Sequence, residues 1–165
     1  MQMLLAIAAA LALAQHPSMP AGMTHEEHWA QIKKDAELAA RGAEAMGFDQ
    51  AAAEHHFIVT ERGGYIQVEV RADADVATRD AIRSHLQQIT QEFARGVFEK
   101  PFATHGEVPD GVPAMERLAA AIQYRYEERP RGGRVVIDAS GREAVAAVHE
   151  FLRYQIREHK TGDPK

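Results

Sequence analysis

The chain has no cysteine among its 165 residues. Disulfides, thiolate ligands and thiol nucleophiles are therefore impossible, and the fold must hold together by packing alone. Serine is almost as scarce. Ser18, Ser84 and Ser140 are the whole set, and none lies in the signature of an activated nucleophile. Phosphate-cradling loops of the G-x-x-x-x-G-K-[ST] and G-x-G-x-x-G types are missing. His149-Glu150 lacks the second histidine of a zinc-protease helix, because Arg153 stands at the required spacing. There is no basic surplus either. Nineteen Lys and Arg against 24 Asp and Glu leave a net charge of −5, and the mixed distribution argues against a nucleic-acid partner.

What the chain does have is nine histidines behind an export-like start. Met1 to Ala14 is uncharged and ends in Ala12-Leu13-Ala14, which resembles a signal-peptidase site, although no positive charge precedes it. The run is too short for a membrane span, which needs about 20 apolar residues. The expectation is a signal peptide over 1–14, a flexible His/Met arm over 15–23 and a single domain over 24–165, periplasmic or secreted. A domain near that length buries roughly 70% of its unfolded surface.

The pattern along the domain predicts α–ββα–α–ββα. Thr24 and Glu27 form a capping box, followed by Trp29, Ile32, Ala36, Ala39, Ala43 and Met46 at helical spacing. Residues 57–70 alternate as a hairpin around Arg62-Gly63-Gly64, and Ile82, Leu86, Ile89 and Phe93 stripe the helix after it. Residues 97–112 read as a loop, with a short helix from Pro113. A second hairpin over 124–137 has two extra turn residues. It leads into a helix capped by Ser140 and Glu143, which buries Val145, Val148, Leu152 and Ile156. The two ββα units look like an internal duplication. The expected fold is α+β: a four-stranded antiparallel sheet with helices mainly on one face, and the N-terminal helix free to cover part of the other.

Imidazole-rich, thiol-free exported chains suit a transition-metal role, with copper or zinc the ions to consider and no organic cofactor implied. Five histidines are the candidate ligands: His55, His56, His85, His105 and His149. By strand parity His55 leans with Phe57 toward the helices, and His56 leans the other way. His85 falls inside the apolar stripe of its helix, and His149 stands between Val145 and Leu152 in the duplicated helix. His105 is a loop residue beside Gly106. His159, in the last helical turn, suits a capping cation. In the arm, His16, Met19, Met23, His25 and His28 offer donors that suit copper.

The segments Met46-Gly-Phe-Asp49, His55-His56-Phe57, Ile82-Arg-Ser-His85-Leu86, Gly111-Val-Pro113, Phe151-Leu-Arg-Tyr-Gln-Ile156 and His159-Lys-Thr-Gly-Asp163 resemble a family of small exported bacterial proteins of unknown function. The resemblance implies export and no particular reaction. It also implies a second histidine one turn after the helical one, where this chain has Gln88.

The leading expectation is an exported, non-catalytic protein that binds a transition-metal ion, copper before zinc. The alternative is an interaction or small-ligand module. Its histidines would be structural or pH-sensing, and its contact surface would be the open sheet face with Tyr65, Gln67, Arg125 and Arg134. An enzyme using histidine and carboxylates as acid and base has the least support.

Overall fold

The computed structural model describes residues 20–165. Residues 1–14, expected to be a signal peptide, and His16 and Met19 of the arm lie outside the described residues. The elements run α1 (His25–Met46), a 3₁₀ turn (Gln50–Ala52), β1 (Ala53–Thr60), β2 (Gly63–Val70), α2 (Val76–Ala94), α3 (Glu99–His105) and α4 (Val112–Arg117). A second 3₁₀ turn (Ala119–Ala121), β3 (Ile122–Arg129), β4 (Gly132–Ala139) and α5 (Arg142–His159) complete the chain. The strands make one antiparallel sheet in the order β1-β2-β4-β3, so the fold is α+β. Among the described residues no helix is long and apolar enough to cross a membrane.

The described residues up to Lys34 and residues Asp35–Lys165 belong to two compact units. In the first, the Thr24–Glu27 box closes as its residue types require. Glu27 N–H donates to Thr24 Oγ1 at 3.2 Å, and Thr24 N–H donates to Glu27 Oε2 at 2.8 Å. Trp29 stays 54% exposed, so the apolar stripe expected along the whole of α1 does not become core there. Within the second unit, the C-terminal half of α1 packs with the helical side of the sheet. Met46 lines a cavity with α2 and α5 residues, and Arg41 Nε donates to Thr104 O at 3.2 Å.

The core lies between the sheet and α2 and α5. Ile82, Leu86, Ile89 and Phe93 from α2 and Val148, Phe151, Leu152 and Ile156 from α5 bury against Phe57, Ile66, Val68, Val70, Val135 and Ile137. Each of these side chains contributes roughly 1.5–3 kcal/mol on removal from water.

The duplication is more regular than the sequence reading expected. Both hairpins have two-residue loops, Glu61-Arg62 and Pro130-Arg131, between strands of equal length. The glycine pairs are the first residues of β2 and β4, not turn residues. A Cβ on Gly63 would stand 2.2 Å from Ile137 O, and one on Gly132 would stand 2.1 Å from Val68 O. Close approach of neighbouring strands therefore dictates glycine there.

Three local expectations change. Residues 99–105 are helical, because Pro101 falls in the first turn, where no N–H is needed. Ser140 Oγ donates to Ala121 O at 3.2 Å instead of capping α5, whose N-cap is Gly141. The last helix stops at Lys160, a left-handed residue with φ 51°, before Gly162 is reached.

Candidate functional site

One end of the sheet holds a cavity of about 60 Å³, on which His55, His85, His105, His159 and Gln155 converge with Lys100 and a wall of apolar side chains. Four elements, β1, α2, α3 and α5, supply the polar groups. Strand parity turns His55 inward from β1 beside Phe57. Helical spacing places His85 of α2 one turn from Ile82 and Ile89. His105 ends α3, whose last turn is closed by Gly106 at φ 74° with its N–H on Phe102 O. Arg41 of α1 reaches the free carbonyls of that turn, Thr104 O at 3.2 Å and His105 O at 3.5 Å. Gln155 and His159 descend from α5, one turn apart.

The rings pack against one another. His55 and His159 are stacked with centroids 5.6 Å apart, and His105 meets His159 edge-on at 5.1 Å. Phe48 contacts both His55 at 6.1 Å and His85 at 5.9 Å. His55 and His159 also line a wider polar cleft of about 500 Å³ with Glu54, His56, Arg71 and Lys160. The stacked pair is thus shared by an apolar interior cavity and a polar exterior one.

Burial keeps these imidazoles neutral. It is the main cause in each case, since the interior disfavours a charged ring. His55 is pushed down to about 4, with help from the Arg71 and His56 charges. His85 is also pushed down to about 4, with Lys100 and His55 adding. His159 falls to about 3, with His55 and His105 adding. His105 is lowered by burial too, against the opposing pull of its bond to Gln155 and of Glu158 and Glu107.

Hydrogen bonding sets the tautomer of His105. Its Nε2 lies 3.0 Å from Gln155 Oε1. A carboxamide oxygen only accepts, so Nε2 carries the proton and Nδ1 is a bare lone pair. That Nδ1 is buried without a partner, as are His55 Nε2 and Gln155 Nε2. Unpartnered buried polar atoms of this kind cost about 1–3 kcal/mol each, and three of them line one cavity.

Of the five expected ligands, His55, His85 and His105 come together. His56 does not join them: its Nδ1 lies 2.9 Å from Asp163 Oδ1, because its odd-even position turns it from the helices. His149 is also apart, with Nε2 2.8 Å from Thr60 O. The strict correspondence runs from Ile82, Leu86, Ile89 and Phe93 of α2 to Val148, Leu152, Gln155 and His159 of α5. His149 therefore has no equivalence to His85. His159 is not a solvated cap; burial against two rings outweighs the helix dipole. Gln88 is exposed and donates to Glu92 Oε1 at 2.8 Å, so that position is outside the cluster. His25 and His28 sit one turn apart in α1. Among the described residues, no three His, Asp or Glu side chains stand as they are in a grouping that holds a metal ion.

On the open sheet face, Arg134 lies 4.0 Å over the Tyr65 ring and donates to Gln67 Oε1 through Nε at 3.0 Å. Arg125 pairs with Glu127. The groups expected to meet a partner thus already engage neighbours on the sheet: Arg134 holds Tyr65 and Gln67, and Arg125 holds Glu127.

Fold and site together define a class: a duplicated ββα domain whose symmetry is broken at one end by a buried cluster of neutral imidazoles. No protein-family model, curated protein or solved structure matches the chain.

Proposed function

We propose that the chain is a non-catalytic transition-metal-binding protein, with copper or zinc as its ion, and that the ion enters the His55–His105–His159 cluster by ring rotation. The observation that carries this reading is the bare Nδ1 of His105. An imidazole whose other nitrogen donates to a fixed acceptor is oriented as metal-binding histidines are. The ring spacing supports it. With metal–nitrogen bonds near 2 Å, two imidazoles on a tetrahedral ion have centroids roughly 5 Å apart, against 5.1 and 5.6 Å here. The stacked His55–His159 pair must splay for its nitrogens to share the ion, and the cavity beside it gives room. His85 is the fourth candidate. Neutral imidazole is the form that binds metal, and the chain keeps these rings neutral.

Calorimetric titration of the full chain with Cu²⁺ and Zn²⁺ tests the reading, with a second chain in which His16, His25 and His28 are alanine to remove the arm. One ion bound with micromolar or tighter affinity by both chains is expected. Binding confined to the chain with the intact arm would refute the cluster as the site. Export of the mature protein is tested by N-terminal sequencing after expression in a bacterium, with cleavage expected after Ala14.

A further inference from the structure

The void beside the imidazoles is a product of the broken duplication. Beyond Phe93, itself one wall of the void, aromatic rings fill the interior: Phe93 stacks on Phe98 at 4.5 Å and meets Tyr124 edge-on at 5.8 Å. His55 is the third residue of β1 as Tyr124 is of β3, and it leaves more space. The result is a chamber of about 60 Å³ with Leu86, Ile89 and Phe151 on its apolar side and Gln155 on its polar side.

We propose that this chamber admits one small uncharged molecule of about two to four non-hydrogen atoms, its acceptor on Gln155 Nε2–H and its apolar end among Leu86, Ile89 and Phe151. Size sets the upper bound. A cavity that takes benzene measures about 150 Å³, and a water occupies about 30 Å³, so a ring is too large and a lone water too small. Chemistry sets the rest. Gln155 Nε2 is buried with no acceptor, so a molecule bringing one removes an existing penalty. A charged molecule would lose its hydration to a mainly hydrocarbon wall, at a cost that the single cation Lys100 among the lining residues must offset. The chamber exists in the metal-free fold, so the proposal stands apart from the ion.

The test uses the full chain treated with chelator and follows methyl resonances by NMR. Xenon reports size, acetonitrile adds an acceptor, and formate adds a charge. Saturable shifts at Leu86 and Ile89 are expected with xenon and with acetonitrile. Val68→Leu, which narrows the chamber by one methylene, should weaken both. Gln155→Leu should weaken acetonitrile about fivefold and spare xenon, because only the hydrogen bond is lost. Val68→Ile, which adds the same methylene with the branching a strand prefers, is the second variant should Val68→Leu fail to fold, and the same weakening is expected. Shifts spread evenly over the core, including Val135 and Ile137, would overturn the proposal. So would saturable formate binding in preference to acetonitrile.

Discussion

The Oε1 of Gln155 accepts the Nε2–H of His105 across 3.0 Å, and this one bond fixes which nitrogen of His105 is free. Replacing Gln155 by leucine removes the acceptor and lets the ring exchange tautomers. Metal affinity is expected to fall about 10–100-fold, the usual effect of losing such a supporting bond. Nitrogen-15 spectra of the imidazole should show a single His105 tautomer in the parent chain and a mixture in the variant. Two tautomers in the parent would remove the basis for the proposed ligand role.

The cluster and its neighbours separate by substitution. His105→Ala and His159→Ala should each weaken zinc or copper by at least about tenfold. His149→Ala should leave affinity unchanged while losing the bond to Thr60 O. Competition titration with a chromophoric chelator reads both. Equal losses in all three variants would point to unfolding or a different ligand set.

How much of this was legible beforehand follows physical locality. Alternation in β1 separates His55 from His56, and the 3.6 period of α2 turns His85 inward, so both placements could be read from spacing. The hairpins, the helical stripes and the antiparallel sheet were equally local. Gln155 and His159 were not legible from α5 alone. A terminal histidine looks like a dipole partner until the ring of His55 is known to lie on it. The missing signal was the duplication itself: alignment of α2 with α5 puts Gln155 and His159 at the positions of Ile89 and Phe93, polar groups at two core sites. The α3 helix was hidden by Pro101, whose tolerance in a first turn depends on where the helix begins.

Acid should destabilise the fold over a defined window. The unfolded histidines titrate at about 6.5, whereas His55 and His85 are held to about 4 and His159 to about 3 when folded. Between these values the unfolded chain binds protons that the folded chain refuses. Stability is therefore full above about pH 6.5 and falls as the pH drops toward 4, by an amount on the order of several kcal/mol. Urea midpoints at pH 7.5, 5.5 and 4.5 should decline in that order. A flat profile across this range would show that the folded rings titrate as they do in the unfolded chain.

Asp163 ties the end of the chain to the edge of the sheet. Its Oδ2 accepts the Phe57 N–H at 2.9 Å, its Oδ1 lies 2.9 Å from His56 Nδ1, and its side chain is 8% exposed. Burial works to raise its pKa, but the bonds from Thr161, His56 and Phe57 win and hold it below the usual carboxylate range. Lys160, paired with Asp35, turns the chain from His159 toward this anchor. The tether thus restrains the strand that carries His55 and the segment that follows His159. Asp163→Ala should cost about 1–3 kcal/mol, since it strands a buried donor, and should speed exchange of the Phe57 amide. Asp163→Asn keeps an acceptor for that amide and should restore most of the protection. Because His55 and His159 stack between the two tethered segments, the alanine variant should also release a bound ion faster than the asparagine variant. Protection of Phe57 that is indifferent to both changes would mean the tail does not hold the strand edge in solution.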